Sequence, residues 1–341
     1  MIDGEMRDQV VRGGAWKHLE GHHLLSLGNE WYSNLAELQS RFAELTSEFW
    51  RENDGLQIML PLTTGAISSP MGLGSDSSPV KFELEGLPTY LADSMQFMLE
   101  YGCRLTEKAT YYIMPSFRGE AVDQSHLSQF FHSEAEIIGG LDDVMAVVEK
   151  YVRHLGAGFL ESHEEVIVRI TGGAEHIRAM LDAPTFRKIT FAEAVEILGG
   201  FGVKKGEGWR TLTREGEQRL MQELGEFIWL TKWDHLAVPF YQAFADGPGS
   251  PSLNGDLLFG IGEVVGAGER HQTAWDAVTA LNLHKVEIAP YQWYLDMRDR
   301  EPLRTAGFGM GIERFFLWLL QHDDIRDMQL IPRENGQQYN P

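Results

Sequence analysis

The sequence predicts an α+β fold in which helices flank a mostly antiparallel sheet. Its strand-like segments are joined by hairpins or by long helical excursions, whereas a doubly wound sheet requires regular alternation of strands and helices. Hydrophobic residues make up 43% of the 341 residues, so the chain can bury a sizeable core. This length allows one large domain with an insertion.

The first half of the chain starts with residues 1–30, which show little periodicity and are expected to form an N-terminal extension. Over residues 31–53, apolar side chains recur at three- and four-residue steps, which predicts an amphipathic helix. Residues 56–61 predict a strand that ends at a proline, because proline cannot donate to a strand ladder. Two strands within residues 80–94 and a helix over 96–105 follow.

The second half of the chain supplies the remaining strands. Residues 110–120 and 127–137 are strand-like, and in the second segment ionisable residues alternate with other types, so that one face is ionisable. Residues 140–230 are mostly helical in pattern and are expected to form an insertion. Residues 255–270 predict a hairpin, and residues 306–321 predict a glycine-rich strand that runs into a helix.

Composition narrows the possible partners and locations. The formal charge is 29 − 50 = −21, and so acidic a surface counts against a large nucleic-acid interface. The single cysteine, Cys103, has no companions with zinc-ligand spacing. The chain start lacks an apolar signal core, and no stretch is apolar for the ~18 residues that a membrane span needs. We therefore expect a cytoplasmic protein with no membrane partner.

A first chemical segment combines an arginine, an acid and an aromatic residue. Arg118 and Glu120 share one face of a predicted strand, and Phe130 begins the strand that returns. A fixed guanidinium can hold a phosphate or a carboxylate, and an aromatic ring can stack on a base. A surface salt bridge beside a core phenylalanine explains the same residues and is the preferred interpretation of this segment alone.

A second segment carries two acids seven residues apart, Asp256 and Glu263. On one strand they face opposite sides, but a turn at residues 260–262 brings them together across a hairpin. Two adjacent carboxylates repel each other unless a cation offsets them, and Mg²⁺ that bridges substrate phosphates does this. Two solvated acids on a turn fit the spacing equally well.

A third segment places glycines at every second position before an arginine. Gly307, Gly309 and Gly311 allow the backbone to pass close under a ligand, and Arg314 lies in the first turn of the following helix. An arginine at a helix N-terminus opposes the helix dipole unless an anion lies there, which favours a phosphate partner. The glycine pattern by itself is weak evidence.

Taken together and in this order, the segments resemble the class II aminoacyl-tRNA synthetases, specifically the aspartyl/asparaginyl subgroup. The family's three signatures are matched by the segment that closes on Pro61, by Phe117–Glu120 with Phe130–Glu136, and by Gly307–Arg314. The segment YQWYLDMR resembles asparaginyl enzymes closely. The resemblance covers about residues 40–335 and implies a catalytic domain over 31–335, which acts as a homodimer through the first signature.

The resemblance implies a role for each matching residue. Arg118 and Arg314 are expected to be catalytic, because they hold the α- and γ-phosphates of ATP while a substrate carboxylate attacks. Asp256 and Glu263 are expected to hold Mg²⁺. The implied ATP site comprises Arg118, Glu120, His126, Phe130, Glu263, Gly311 and Arg314. The implied amino-acid site comprises Ser94, Gln96, Glu100, Arg270 and Gly309.

Two of these residues bear on the choice of amino acid. Arg270 suits a side-chain oxygen, and Glu100 stands where the asparaginyl enzymes carry glutamate. A carboxylate accepts a hydrogen bond from an amide NH₂ but repels a second carboxylate. The pair therefore predicts a ligand of asparagine shape, as substrate or product, although aspartate as substrate stays open.

Two departures from the family bear on the acceptor of the activated acyl group. Only about 40 residues precede the first signature, so no anticodon-binding domain is expected, and the loop AVDQSH lacks the arginine usual beside His126. These departures and the acidic charge favour a stand-alone, asparagine synthetase-like ligase that uses ammonia or another amine, with tRNA a doubtful partner. The alternatives are a truncated asparaginyl-tRNA synthetase that charges tRNA and a non-catalytic amino-acid-binding paralogue.

Overall fold

The computed structural model describes residues 13–18, 21–68, 73 and 78–337. Its strands are β1 (Leu56–Gln57), β2 (Thr63–Thr64), β3 (Val80–Leu84), β4 (Leu87–Leu91), β5 (Thr110–Phe117), β6 (Gln129–Ile138), β7 (Arg187–Thr190), β8 (Val203–Gly206), β9 (Trp209–Leu212), β10 (Phe227–Thr231), β11 (Asn254–Phe259), β12 (Glu263–Glu269) and β13 (Thr305–Gly311). Its helices are α1 (His22–Ser26), α2 (Glu30–Glu52), α3 (Gln96–Thr106), α4 (Leu141–Thr171), α5 (Glu175–Asp182), α6 (Phe191–Leu198), α7 (Arg214–Leu224), α8 (Ala274–Leu283), α9 (Gln292–Arg300) and α10 (Ile312–Leu319).

An eight-stranded sheet organises the molecule, in the order β1-β5-β6-β13-β12-β11-β10-β7. Its five central pairings are antiparallel, and only the pairings at the two edges are parallel. Antiparallel neighbours can be joined by tight turns, as β11 and β12 are at residues 260–262. The predicted α+β class with a mostly antiparallel sheet is confirmed.

Helices α2 and α4 cover one face of the sheet. Helix α2 begins where Trp31 N–H donates to the Asn29 side chain at 2.9 Å, and its apolar residues at three- and four-residue steps are buried as predicted. The Tyr151 hydroxyl of α4 lies 2.7 Å from Thr46 Oγ1 of α2 and 2.9 Å from Ser133 Oγ of β6. These bonds fix the two helices against the strand that carries much of the candidate site.

The segment 140–230 contains helices α4 to α7, but it also contributes strands to the main sheet. Strand β10 pairs with β11, and β7 pairs with β10 at the sheet edge. The hairpin β8–β9 packs against helix α7 where Gly202 meets Gly216, and α7 reaches the start of β12 where Glu217 accepts Glu263 N–H at 3.4 Å. The segment is thus built into the sheet rather than appended to it.

Two N-terminal features differ in extent from their predictions. The strand expected over residues 56–61 is regular only at Leu56–Gln57, although Ile58 N–H still donates to Tyr111 at 3.0 Å. Within the extension expected over residues 1–30, residues 1–12 and 19–20 lie outside the described residues. Its described part packs on residues 325–328, where Gly14 N–H donates to the Asp327 side chain.

None of the described helices combines the length and the apolar composition that crossing a membrane requires.

Candidate active site

A trough floored by glycines runs across the middle of the sheet. On β13, Gly307, Gly309 and Gly311 pair in register with Glu136, Glu134 and His132 of β6. On the other side of β13, Gly266 and Gly268 of β12 pair with Gly309 and Gly307. Because residues at steps of two share a face, the three β6 side chains stand along one wall of a floor without side chains.

Arginines line both ends of the cavity above this floor. The cavity has a volume of about 850 Å³, and its wall includes Arg118 and Arg314 at one end and Gln96 and Arg270 at the other. A second cavity of about 540 Å³ shares Arg118 and Arg314 and extends along Phe130. The trough therefore joins every predicted phosphate-contacting side chain to the predicted amino-acid site.

Arg118 follows directly on strand β5, where its backbone N–H donates to Ser128 O at 2.8 Å. Its guanidinium carbon lies 5.2 Å from the centre of the Phe130 ring, and Nη1 lies 3.9 Å from Glu120 Oε1. Its Nε is shielded from solvent and has no hydrogen-bond partner among the described residues. A buried donor without a partner fits an anionic ligand in the cavity.

Arg314 reaches the same region from the first turn of α10. Its Nη1 donates to Glu263 O at 2.9 Å and lies 4.0 Å from Glu263 Oε2. Its aliphatic part packs over Gly311, where an added Cβ would stand 3.6 Å from the Arg314 Cβ. Arg314 therefore lies over the end of the glycine strand, within ordinary van der Waals distance of position 311.

Three carboxylates meet beyond Arg314. Glu263 Oε1 and Asp256 Oδ1 both lie beside Gly266, 3.2 and 3.8 Å from where a Cβ would stand. Glu217 of α7 completes the group by accepting Glu263 N–H at 3.4 Å. Burial and then Glu263 raise the pKa of Glu217 to about 7, and the same two causes raise the pKa of Asp256 well above its ordinary value.

This carboxylate group fits a magnesium ion that also binds phosphate oxygens. No set of three or more His, Cys, Asp or Glu in the described part of the chain has the geometry of a complete metal site. Mg²⁺ in nucleotide enzymes typically takes one or two carboxylates and completes its shell with water and substrate phosphates. Asp256 and Glu263 can supply two such carboxylates, and a cation between them would relieve their mutual repulsion.

Arg270 lies at the other end of the trough and is fully buried. Its Nη2 lies 3.0 Å from Glu136 Oε2, and its Nη1 donates to Gln242 Oε1 at 3.2 Å. Gly307 makes room for the ion pair, because a Cβ there would stand 1.9 Å from Glu136 Oε2. Gln96 Oε1 accepts a further hydrogen bond from Arg270 at 3.3 Å, while Gln96 Nε2 has no partner among the described residues.

Glu134 is a buried carboxylate at the centre of the trough. It accepts hydrogen bonds from Ser94 Oγ at 2.6 Å and from the Tyr112 hydroxyl, and its Oε1 lies 3.1 Å from His132 Nδ1. Burial alone would raise the pKa of Glu134, but His132, Ser94 and Tyr112 together hold that pKa below its ordinary value. An ionised carboxylate in a closed pocket is suited to a ligand ammonium group.

Of the predicted site residues, Glu100 lies apart from this arrangement and His126 stands at its rim. Glu100 is fully buried behind the cavity wall, where it pairs with Arg298 and accepts from the Tyr294 hydroxyl at 2.6 Å. His126 lies on the exposed loop at the cavity rim, where Asp123 Oδ1 accepts its backbone N–H at 2.9 Å. The other predicted residues, Ser94, Gln96, Glu120, Phe130, Asp256, Glu263, Arg270, Gly309, Gly311, Arg118 and Arg314, line the two cavities.

Residues 18–335 match the family described as tRNA synthetases class II (D, K and N). The chain belongs to this family. The predicted resemblance is therefore confirmed, and with it the expectation of a ligase of the synthetase class.

The relatives of this synthetase core include several asparagine–tRNA ligases. The one from Thermoplasma acidophilum is 26% identical over 320 residues, which span 92% of this chain and 72% of the relative. A probable cytoplasmic asparagine–tRNA ligase from Encephalitozoon cuniculi is 30% identical, and the match spans 76% of this chain and only 59% of the relative. The chain thus corresponds to part of the length of these enzymes.

The fold is also that of solved synthetases. Asparaginyl-tRNA synthetase from Pyrococcus horikoshii, crystallised with asparaginyl-adenylate, superposes with a TM-score of 0.84 at 23% identity over 94% of this chain and 72% of that one. The Entamoeba histolytica enzyme superposes with a TM-score of 0.80 at 22% identity over 96% of this chain and 73% of that one.

Sequence reasoning missed four side chains of this synthetase core. His132, Glu134 and Glu136 lie on the β6 face that was recognised as ionisable, so the alternation of the strand was the available signal. Glu217 had no such signal, because it lies on a helix of the segment 140–230 and meets the carboxylates only through the tertiary fold.

Proposed function

We propose that this chain activates asparagine with ATP and transfers the activated acyl group to tRNA. The observation that carries the proposal is the single trough that joins Arg118 and Arg314 at one end to Glu134, Gln96 and Arg270 at the other. Two anionic reactants, an amino-acid carboxylate and a triphosphate, need positioning and positive charge rather than a nucleophilic side chain. The trough offers both.

The residues divide this work along the trough. Phe130 stacks on adenine with Glu120 beside it, while Arg118 holds the α-phosphate and the reacting carboxylate. Arg314 binds the γ-phosphate, and Asp256 and Glu263 hold Mg²⁺, which supplies further charge neutralisation when bound. The carboxylate oxygen attacks the α-phosphorus in line, the bond to the β-phosphate oxygen breaks, and pyrophosphate leaves.

The amino acid is oriented by polar groups on both sides of its α-carbon. Glu134 and Ser94 suit its ammonium group, and Arg270 suits its side-chain oxygen. Because Glu136 already balances the charge of Arg270 at 3.0 Å, a neutral amide fits this end better than a second carboxylate. The names of the relatives also favour asparagine over aspartate.

The family membership changes the preferred acceptor. The sequence favoured ammonia or another amine and made tRNA a doubtful partner, but the relatives are tRNA ligases and lend that preference no support. Transfer of the asparaginyl group to a tRNA 3′ end is therefore the acceptor reaction proposed here.

The acceptor is tested with radiolabelled amino acids and the purified chain. With ATP, Mg²⁺ and labelled asparagine, we expect acid-precipitable label only when tRNA is present, and none with the Arg118→Ala variant. Conversion of labelled aspartate to asparagine with ammonia, without any tRNA charging, would contradict the proposal and reinstate the amine acceptor.

A further inference from the structure

Most hydrogen-bond donors of Arg270 are already committed to protein groups. Its Nε–H and one Nη2–H donate to the two oxygens of Glu136 at 3.1 and 3.0 Å. The other Nη2–H donates to Gln96 Oε1 at 3.3 Å, and one Nη1–H donates to Gln242 Oε1 at 3.2 Å. A guanidinium carries five N–H groups, so these contacts with described residues leave one Nη1–H. Because a buried carbonyl oxygen accepts two hydrogen bonds, a ligand oxygen at this end calls for a second donor.

Arg270 also fixes the orientation of the Gln242 amide. A guanidinium only donates, so the amide oxygen of Gln242 faces Arg270 and the NH₂ group faces away from it. Gln242 is 9% exposed and lines the cavity, and its Nε2 has no partner among the described residues. The amide lies on the glycine floor, because a Cβ at Gly268 would stand 1.8 Å from Gln242 Oε1 and 2.9 Å from Nε2. A donor is thus presented on the floor of the trough beside Arg270.

The backbone of Gln242 is held from two sides. Gln242 forms an antiparallel bridge with Arg270, which fixes the two residues relative to each other. Its carbonyl oxygen accepts a hydrogen bond from His235 Nε2 at 2.8 Å, and His235 Nδ1 lies 3.0 Å from His284 Nε2. A side chain held in this way is preorganised, so it loses little freedom when a ligand binds.

We propose that Gln242 is a specificity-determining residue whose Nε2–H donates to the side-chain oxygen of the amino acid, beside the remaining Nη1–H of Arg270. This inference rests on the proposed function and names the ligand class of its side-chain end, an amino acid with an uncharged oxygen on Cγ. The Gln242 amide is neutral and Glu136 already balances Arg270, so a ligand carboxylate would bring a charge that these groups do not offset. No bond forms or breaks here, so the contact sets affinity and selectivity rather than the rate of the chemical step.

The test compares two amino acids that differ in the side-chain amide. In ATP–pyrophosphate exchange with the full chain, asparagine gives a KM, and L-2-aminobutyrate, whose Cγ carries no oxygen, gives a Ki as competitor. Gln242→Met keeps the length of the side chain and removes its donor, so KM for asparagine should rise about tenfold while kcat and the Ki of aminobutyrate stay within about twofold. The matched control is Gln292→Met on the exposed face of α9, where Gln292 donates to Asp296 at 2.8 Å, and it should match wild type.

A second variant separates the NH₂ donor from the contact with Arg270. Gln242→Glu keeps an oxygen for Arg270 but turns the donor into an acceptor, so it should raise KM for asparagine at least as much as Gln242→Met. An unchanged KM in either variant, or a parallel rise of KM and Ki, would overturn the assignment of Gln242. A selective rise in Gln96→Met but not in Gln242→Met would overturn it as well. A wild-type chain without asparagine-dependent exchange would instead overturn the proposed function.

Discussion

The substitution Gly309→Ala tests whether a ligand lies directly on the glycine floor of the trough. Gly309 lies in strand β13 between Glu134 and Gly266, and its φ is not positive, so the backbone accepts alanine without strain. The new Cβ would stand 3.0 Å from Glu134 Oε1 and 3.5 Å from the Glu134 Cγ and Cδ. A shift of a few tenths of an ångström relieves this contact, so the variant should fold.

The effect on activity should be far larger than the effect on stability. The methyl group rises about 1.5 Å above the floor and displaces a ligand that lies on it. A misplacement of about 1 Å can cost ~100-fold in rate, or ~2.7 kcal/mol of transition-state stabilisation. We expect kcat/KM for asparagine-dependent ATP–pyrophosphate exchange to fall by about that factor, with Tm close to wild type.

Two further glycine variants complete the experiment. Gly21→Ala serves as a control, because its φ is −111° and nothing lies within 4 Å of the added Cβ. Gly307→Ala should instead destabilise the fold, since its Cβ would stand 1.9 Å from Glu136 Oε2 and 2.6 Å from the Ala135 carbonyl. If Gly309→Ala keeps kcat/KM within threefold of wild type, no ligand lies on this floor and the reasoning fails.

Three other predictions concern the phosphate end and the surface. Arg118→Ala and Glu263→Ala should each abolish exchange without loss of fold by circular dichroism, and near-normal turnover in either would refute the site assignment. Because the pKa of Glu217 is raised to about 7 from 4.5, the folded cation-free protein binds this proton more tightly than the unfolded chain does. The stabilisation by this bound proton is complete below pH ~4.5 and is lost as the pH rises to ~7, so Tm should fall over that range. The Tm of Glu217→Gln should fall less, and equal slopes of Tm against pH in the two proteins would contradict this prediction. We also expect a homodimer through the exposed apolar side chains near β1 and α3. The double variant Met59→Asp with Leu105→Asp should then lower the mass measured by light scattering from that of a dimer to that of a monomer. A wild-type protein that is monomeric at micromolar concentration would contradict this expectation.

The local patterns of the sequence were sufficient to predict which residues meet in much of the site. Asp256 and Glu263 were predicted to meet if the chain turned at residues 260–262, and the hairpin forms there, with Phe259 N–H donating to Gly262 O at 2.9 Å. The glycines of β13 were predicted to let a ligand approach, and their register with β6 explains why. Both inferences depend on strand periodicity and turn chemistry, which act over a few residues.

Features that depend on tertiary packing could not be predicted in the same way. Glu100 lies one helical turn beyond Gln96, and only the packing of α9 shows that its carboxylate meets Arg298 rather than the cavity. Glu217 is 39 residues from Asp256 and 46 from Glu263, and no local pattern links the helix to the hairpin. Its position follows from the strands β7 and β10 that anchor the segment 140–230 in the sheet.

The most direct test of the central claim is amino-acid-dependent ATP–pyrophosphate exchange without tRNA, with asparagine and aspartate run side by side. We predict exchange with asparagine and little with aspartate, because Glu136 already balances the charge of Arg270 at the side-chain end of the trough. Exchange with aspartate alone would contradict the assignment of an amide-binding site, and exchange with neither amino acid would contradict the proposal that this trough forms an adenylate.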